Sequence, residues 1–351
     1  MPDNFVSSLP ARRQIAVWLF CLCGFIGLVV LVGGMTRLTD SGLSITEWKP
    51  VTGMLPPLSL EAWQQEFAKY QKIPEYRLIN RDMDLAAFKS IYWWEWGHRF
   101  LARMAGLVFL TPFVYFWATK KISRAELPKF VALFVLGGVQ GALGWYMVKS
   151  GLSVRVDVSQ YRLAAHLGLA FLVYGYSLWM GLGYWRGQSD GVASPCWLRA
   201  GSAALCAIVF LQIVLGALVA GLDAGLTYNS WPMMDGYWIP PGLIRLTPWY
   251  LNLFENITLV QFNHRNMAVL VAALSVALWF VGRHASRLRS ALWMMLGMVT
   301  VQFSLGVWTL LAVAPPVLAA AHQMGALISF SAALWLAHLI WGPGHALADS
   351  H

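Results

Sequence analysis

Four histidines stand at matching positions, each near the start of a long apolar segment: His98, His166, His264 and His322. The first and third lie in the related motifs Glu95–Arg99 (EWGHR) and Gln261–Arg265 (QFNHR), and the other two follow alanine-containing triplets. An imidazole inside a membrane must find a polar partner, because the hydrocarbon offers none. One such histidine is typical of a helix–helix hydrogen bond, but four at similar depth indicate that they bind a metal or a haem.

The neighbouring residues favour haem over a bare metal ion. Zinc and copper sites usually draw on ligands close together in sequence or include cysteine or carboxylate, whereas here each segment contributes one histidine and no cysteine is adjacent. Two facing helices that each supply one imidazole form the axial ligation of a haem inside a helical bundle. The sequence therefore predicts two bis-histidine haem sites. Spacing alone leaves open whether His98 pairs with His166 or with His264.

One carboxylate distinguishes the two related motifs. Glu95 lies three residues before His98, on the same helical face, and Gln261 takes its place before His264. Glutamine keeps the shape and the hydrogen bonds but does not exchange a proton, whereas a carboxylate acts as a general acid or base or stabilises positive charge. Glu95 is therefore the candidate catalytic residue. The alternative is that it only anchors an imidazole or an arginine.

Four arginines lie at the level of the histidines and are candidate contacts for haem propionates: Arg37, Arg99, Arg162 and Arg265. Guanidinium groups bind carboxylates through two parallel hydrogen bonds, which suits that role. Long basic side chains near helix ends also extend to the membrane surface without any ligand, and this is the alternative for each of them.

Composition places the chain in a lipid bilayer. Of its 351 residues, 58% are hydrophobic and 12% are charged, which is too apolar for a soluble domain. Eight segments reach the roughly 20 residues that cross a bilayer, and they must be helical because no water satisfies their backbone. The sequence predicts an all-α integral membrane protein with eight transmembrane helices near 15–35, 97–117, 127–148, 163–184, 200–221, 259–281, 290–311 and 317–340.

Basic residues set the expected orientation. Arg12, Arg13 and the short loops after the second, fourth and sixth helices hold an excess of Lys and Arg, and such loops stay in the cytoplasm. Both termini are therefore expected in the cytoplasm. The first ten residues are too short and too poor in basic residues for an organelle transit peptide, which favours a bacterial inner membrane. The net charge of +9 follows from the loop bias and predicts no nucleic-acid partner.

An internal repeat organises the chain. The segment 40–57 matches 223–240 at a constant offset of 183 residues, and Gln140–Gly144 in the third helix matches Gln302–Gly306 in the seventh. Helices one to four and five to eight are therefore expected to form two tandem, pseudo-symmetric four-helix bundles that enter the membrane from the same side. The division predicted from the repeat is residues 1–185 and 186–351.

Three smaller interpretations concern the loops and the helix surfaces. Glycines of the third helix are interpreted as sites of close helix packing: Gly137, Gly141 and Gly144. The amphipathic stretch 60–70 is expected to be a short surface helix. An interfacial aromatic belt is expected just before the second helix, at Tyr92, Trp93, Trp94 and Trp96.

Together these residues resemble the haem A synthase family over positions 15–340. The repeated halves, the Glu-x-x-His-Arg motif at 95–99 and the three further histidines carry the resemblance. Members of that family convert haem O to haem A for cytochrome oxidase by oxidising a methyl substituent to a formyl group. The resemblance implies that His98 and His166 hold haem O, that Glu95 lies near the reacting group, and that His264 and His322 ligate a haem B that passes electrons.

The same resemblance implies a course of reaction and a set of partners. Successive hydroxylations of the methyl group would give a geminal diol, which loses water to become the aldehyde. Haem O synthase is the expected source of substrate, and cytochrome oxidase assembly factors are expected partners. Some relatives carry a cysteine pair in the outer loops, which this chain lacks. Two other functions stay open, a di-haem b-type membrane electron-transfer protein and a non-catalytic haem carrier.

Overall fold

The computed structural model of the protein describes residues 9–49, 52–152, 156–187 and 195–341. These residues form eleven α-helices: α1 (Leu9–Leu38), α2 (Leu60–Tyr70), α3 (Pro74–Leu78), α4 (Leu85–Ala118), α5 (Leu127–Gly151), α6 (Gln160–Arg186), α7 (Cys196–Gly221), α8 (Asn252–Glu255), α9 (Ile257–Gly282), α10 (Arg289–Leu311) and α11 (Pro316–Trp341). Within the described residues the only β-type pairing is one isolated bridge between Met234 and Tyr237. The predicted all-α fold is confirmed.

Eight of these helices are long and apolar enough to cross a membrane: α1, α4, α5, α6, α7, α9, α10 and α11. The prediction of eight transmembrane helices is therefore confirmed over the part of the chain that the structure describes. Since eight is an even number, the start of α1 and the end of α11 lie on the same side of the bundle. We call the opposite side, where the loops 39–84 and 222–256 lie, the cap side. The termini that were expected in the cytoplasm fall in 1–8 and 342–351, outside the described residues.

The second membrane helix begins earlier than the sequence analysis predicts. α4 starts at Leu85 rather than near residue 97, because the carboxylate of Asp84 accepts a hydrogen bond from the Ala87 amide at 2.8 Å and caps the helix. The aromatic residues that were expected before this helix lie within it instead: Tyr92, Trp93, Trp94 and Trp96. The belt prediction is therefore wrong in its position relative to the helix.

The hydrogen bond that a proline removes from α4 is replaced by one from a tryptophan of α1. Pro112 has no amide hydrogen, so the carbonyl of Val108, four residues earlier, loses its helical donor. The Nε1 of Trp18 donates to that carbonyl at 2.9 Å. The same indole stacks on Phe130 of α5, with ring centroids 5.7 Å apart. Trp18 therefore satisfies a backbone group that the bilayer could not satisfy and joins three helices.

We call α1, α4, α5 and α6 the first group and α7, α9, α10 and α11 the second group, after the predicted repeat; that they form two pseudo-symmetric bundles stays a prediction. In the first group, α1 contacts α4 and α6, and α5 contacts α6; in the second group, α7 contacts α9 and α11, and α10 contacts α9 and α11. The groups meet where α6 contacts α7 and α11, and where α1 contacts α11. Van der Waals packing and hydrogen bonds hold such a seam, since lipid is as apolar as the seam itself. Phe171 packs on Phe330 there, and the hydroxyl groups of Tyr174 and Ser331 are 2.7 Å apart.

The segment between α1 and α4 folds into a cap over the first group. α2 confirms the predicted surface helix, and the hydroxyl of Ser59 caps it by accepting a hydrogen bond from the Ala62 amide at 3.1 Å. The cap is fixed to α4 by a cluster of buried apolar residues: Leu43, Trp63, Tyr70, Ile73, Phe88, Tyr92 and Val158. The start of α4 is thus part of the cap as well as of the bundle.

Candidate functional site

The four histidines lie on α4, α6, α9 and α11, at the cap side of the bundle. Three of them are six or seven residues into their helices, as predicted, whereas His98 is thirteen residues into α4 because that helix starts early. Each ring lies against a preceding helix (α1, α5, α7 or α10), within seven residues of the end of that helix. The four imidazoles therefore share one end of the bundle and lie at similar depth.

The structure brings His264 and His322 together in the second group. Their ring centroids are 6.5 Å apart, and the ring planes are inclined at 83°. Bonds from a metal to an imidazole nitrogen are about 2 Å long, so this separation leaves room for one metal atom between the rings. The Nδ1 atoms of both rings are buried and find no hydrogen-bond partner among the described residues. The donor set and its unpaired nitrogens fit a bis-histidine haem.

His98 and His166 occupy the corresponding place in the first group. Nδ1 of His166 lies 3.2 Å from the Nε2 of Gln140. The sequence left open whether His98 pairs with His166 or with His264. In the structure His264 faces His322, and the pairing of His98 with His166 stays a prediction.

Two glutamines hold the backbone of the histidine helices. Gln140 Nε2 donates to the carbonyl of His166 at 3.0 Å, and Gln302 Nε2 donates to the carbonyl of His322 at 2.9 Å. The two glutamines occupy matching positions of the repeat. The sequence analysis used them only to define the repeat. Their position in both copies was the signal that they support the histidines.

A third glutamine is present in the second group but not at the equivalent position of the first, and the sequence analysis did not identify it. Gln212 of α7 places its Nε2 3.4 Å from the Nε2 of His264, whereas Val29 stands 183 positions earlier in α1. Its Oε1 has no hydrogen-bond partner among the described residues. A metal-bound imidazole usually donates its other N–H to an acceptor close by, and Gln212 puts beside His264 an amide that has no counterpart at the equivalent position of α1. The exchange of valine for glutamine between the repeats was the available signal.

Glu95 is 2% exposed, and both of its carboxylate oxygens are engaged. Oε2 accepts hydrogen bonds from the Ser44 hydroxyl and the Ile45 amide, both at 2.7 Å, and Oε1 pairs with Arg99 at 2.6 Å. These contacts tie α4 to the segment that follows α1. The alternative that Glu95 anchors an arginine is thus present in the structure, and its catalytic role stays a prediction.

Gln261, at the position of Glu95 in the second half, is neutral, and the direction of its hydrogen bonds to the loop is reversed. Its Nε2 donates to the carbonyls of Ala224 at 2.8 Å and Thr227 at 2.6 Å, and its Oε1 accepts from Arg265 at 3.3 Å. Glu95 holds its loop by accepting hydrogen bonds, whereas Gln261 holds the equivalent loop by donating them. The two positions therefore differ in charge while they keep the same structural task.

The arginines next to the histidines also hold the loops. Their guanidinium groups donate to backbone carbonyls at repeat-related positions, which are Ile45 and Glu47 for Arg99, and Tyr228 and Ser230 for Arg265. Arg99 further lines a cavity of about 230 Å³ together with Lys49 and Arg103. Glu47 and Glu66 line it as well, so three basic side chains meet two carboxylates in this cavity on the cap side of α4. That Arg99 and Arg265 contact propionates stays a prediction.

The other two candidate arginines have different surroundings. Arg37 pairs with Asp40 at 2.9 Å and with Asp223 at 3.0 Å. Because these aspartates are equivalent in the repeat, one arginine links the two groups. Arg162 donates to the carbonyl of Tyr146 at 2.6 Å, and its guanidinium lies over the Tyr146 ring. Propionate contacts of Arg37 and Arg162 stay predictions too.

The glycines of α5 differ from the sequence interpretation. A Cβ added at Gly137 or Gly141 would meet no atom within 4 Å among the described residues, and one added at Gly144 would meet the ring of His166. None of the three therefore brings α5 into close contact with the backbone of another helix. The interpretation as packing residues is therefore wrong for Gly137 and Gly141, whereas Gly144 packs against the His166 ring of α6.

Comparison with known proteins identifies the family. Residues 16–334 match the family model COX15-CtaA, described as cytochrome oxidase assembly protein. A protein named heme A synthase from Parvibaculum lavamentivorans is 50% identical over 327 residues, which cover 93% of this chain and 94% of the relative. One of the same name from Nitrosospira multiformis is 46% identical over 344 residues, which cover 96% of each. The chain therefore belongs to the COX15-CtaA family of cytochrome oxidase assembly proteins.

Proposed function

We propose that this protein is a haem A synthase, which oxidises a methyl substituent of haem O to the formyl group of haem A. The observation that carries the proposal is the arrangement of the four histidines at one end of the bundle, with a single carboxylate, Glu95, beside one pair only. The relatives named heme A synthase support it, since they match nearly the whole chain.

The two groups of helices have different tasks in this proposal. The first half of the chain, 1–185, holds haem O as substrate, and the second half, 186–351, holds haem B as a bound cofactor. The ligands are His98 and His166 for the substrate, and His264 and His322 for the cofactor. The helices of the first half are less closely packed, since α4 and α5 approach each other only sparsely while α9 and α10 lie close together. A substrate must enter and its product must leave, so the looser half suits the substrate.

Two glycines account for the space between α4 and α5. Phe134 of α5 stacks on Phe109 of α4, with ring centroids 6.1 Å apart. Gly137 and Gly141 lie three and seven residues further along, on the same face of α5. At these two turns the face of α5 that continues from Phe134 therefore carries no side chain, and it leads along the helix towards the histidine end.

The repeat-equivalent space in the second half is filled. Val299 and Phe303 of α10 stand at the positions of Gly137 and Gly141. Val299 is buried, and Phe303 packs on the indole of Trp231 with ring centroids 5.5 Å apart. The cofactor of the second half would thus be enclosed by side chains that the first half lacks.

The residues around Glu95 define what the chain contributes to the chemistry. The haem groups, when bound, supply the redox chemistry of the reaction. Ser44, Ile45 and Arg99 hold the Glu95 carboxylate in one orientation, in a site from which water is excluded. A carboxylate fixed in this way takes up a proton or stabilises positive charge as the methyl carbon is oxidised. Two hydroxylations, each of which withdraws two electrons from the methyl carbon to an external oxidant, would give a geminal diol, which loses water to leave the aldehyde.

The setting of the reaction belongs to the same proposal. We place the protein in the bacterial inner membrane with both termini in the cytoplasm, which puts the cap side and the four histidines on the opposite face. Haem O synthase would deliver the substrate, and oxidase assembly factors would receive the product. The basic inner loops and the eight membrane helices support this placement.

The substitution Glu95→Gln tests the role of the carboxylate. We expect haem A formation in membranes supplied with haem O to fall by roughly 100-fold or more, the usual contribution of general acid–base catalysis. Ser44→Ala is the matched control, because it removes one hydrogen bond to the carboxylate and keeps the charge. A hydrogen bond to a carboxylate contributes upwards of about 1.5 kcal/mol, so the control should fall by roughly tenfold, clearly less than the variant without the carboxylate.

The haem content of both variants decides how the result is interpreted. Retention of haem O together with loss of haem A in Glu95→Gln supports a role in the reaction. Wild-type conversion by Glu95→Gln would reject the catalytic assignment and leave the carboxylate as an anchor for Arg99.

A further inference from the structure

Two of the histidine rings lie directly over a glycine of the preceding helix. A Cβ added at Gly33 of α1 would be 2.7 Å from the Nε2 of His98, and one added at Gly216 of α7 would be 3.1 Å from the Cε1 of His264. The two glycines are 183 residues apart, which is the offset of the repeat. The contact between ring and glycine is therefore present in both halves.

The other two rings show the same contact on different helices. A Cβ added at Gly144 of α5 would be 2.9 Å from the Cε1 of His166, and one added at Gly306 of α10 would be 2.8 Å from the Cε1 of His322. These two glycines share the offset that relates Gln140 to Gln302. Each of the four histidine rings thus packs against a glycine, where the neighbouring helix carries no side chain.

Ordinary helix packing does not account for these four positions. Glycine in membrane helices usually lets two backbones approach each other, but here the nearest atoms to an added Cβ belong to imidazole rings. Other glycines of the same helices do not face an imidazole, although Gly34 of α1 faces Gln323 and Gly201 of α7 faces Leu278. Gly24 of α1, Gly141 of α5 and Gly297 of α10 would each gain a Cβ with no atom within 4 Å among the described residues.

We propose that Gly33, Gly144, Gly216 and Gly306 are positioning residues, which set the location and tilt of the four imidazoles and thereby the strength of haem ligation. This rests on the proposed function, since it takes the rings as haem ligands. A Cβ within 3.0 Å of another atom is essentially never found, so a methyl group at Gly33, Gly144 or Gly306 forces the ring to move. At Gly216, where the contact would be 3.1 Å, the ring must give by only a few tenths of an ångström. A ring at the end of a flexible side chain can move without disrupting the helices, but the direction of its nitrogen towards the iron changes.

The four alanine variants should differ in how strongly they weaken haem binding and in which of the two haems they affect. Gly33→Ala and Gly306→Ala place the methyl group closest to a ring, and Gly216→Ala places it furthest away. Gly33→Ala should alter only the haem of the first half, and Gly306→Ala only that of the second half. We expect about tenfold weaker binding of haem at the altered site, the usual effect of losing a residue that orients a metal ligand.

The experiment is electron paramagnetic resonance and absorption spectroscopy of the purified, haem-loaded protein, together with titration by haem B. The low-spin signal of a bis-imidazole haem should decrease in Gly33→Ala and Gly306→Ala, with a matching high-spin signal. The controls are Gly24→Ala and Gly297→Ala, which make the same change on the same helices away from any ring. Both controls should keep the wild-type spectrum and affinity.

Three outcomes are distinguishable. Altered ligation in the ring-facing variants with unaltered controls supports the proposal. Wild-type spectra and affinities in all four ring-facing variants would overturn it and leave the proposed function intact. A wild-type protein without any low-spin bis-imidazole signal would instead reject the proposed function. If Gly33→Ala fails to fold, Gly216→Ala carries the test, because its added contact of 3.1 Å needs the smallest movement.

Discussion

Glu75, a residue of α3, has an unusual environment for a carboxyl group. It is buried beneath the cap, where its Oε1 accepts hydrogen bonds from the Tyr70 hydroxyl at 3.3 Å and from the Asn80 amide at 3.4 Å. Its Oε2 has no partner among the described residues. Burial raises the pKa of Glu75 from its ordinary value of 4.5 to about 8. The group is therefore mainly protonated at neutral pH.

This raised pKa predicts how the stability of the cap depends on pH. Between pH 4.5 and about 8 the folded state binds the proton of Glu75 more tightly than the unfolded state does. The free energy of unfolding must therefore fall as the pH rises through this window, by on the order of a few kcal/mol at most, and level off above it. Glu75→Gln removes this dependence. Thermal unfolding at pH 5 and pH 8.5 should show a smaller difference for the variant than for wild type.

The matched control is Glu61→Gln, which neutralises an exposed carboxylate on α2. It should keep the pH dependence of wild type. Equal pH dependence in wild type and Glu75→Gln would show that the buried carboxyl does not titrate in this range.

At the scale of the helices, the space between α4 and α5 should decide what the first half admits. The double substitution Gly137→Val and Gly141→Phe gives α5 the side chains of α10 at matching positions. Overfilling a site costs about 1–3 kcal/mol, so we expect roughly tenfold less haem O in the purified protein, equivalent to about 1.4 kcal/mol. The haem B of the second half should be unchanged. The measurement is extraction and mass analysis of both haems.

Val139→Phe is the control for this prediction, because it enlarges an exposed side chain five residues after Phe134, on the opposite face of α5. It should bind haem O as wild type does. Unchanged haem O in the double variant would show that the substrate does not use the space between α4 and α5.

The helices were predictable from sequence to the extent that hydropathy determines them. All eight spans were found, but the start of α4 was not, because residues 85–96 mix charged and aromatic side chains and resemble a loop in a hydropathy window. The local signals were present in Asp84 as a cap and in the buried Phe88 and Tyr92 at helical spacing. The glycines of α5 were misinterpreted, because a sequence does not show which residue faces them.

At the scale of the whole molecule, the repeat predicted which residues occupy equivalent positions in the two halves. It did not predict which residues are in contact. Hydrogen-bond partners of Glu95 and Arg99 lie about 50 residues away in the loop after α1. The role of Arg37 depends on Asp223, 186 residues along the chain. Such contacts follow from the packing of the two groups, and no local pattern in the sequence specifies them. The difference between Glu95 and Gln261 could be found from the sequence because both copies of the motif lie in one chain.

The haem inventory of the wild-type protein tests the central claim most directly. The protein would be co-expressed with a haem O supply and purified, and its haems would be extracted and identified by mass. The proposed function predicts haem A together with haem B, since one half converts its haem and the other keeps its own. Haem B alone, with no haem A, would contradict the account and indicate a di-haem electron-transfer protein.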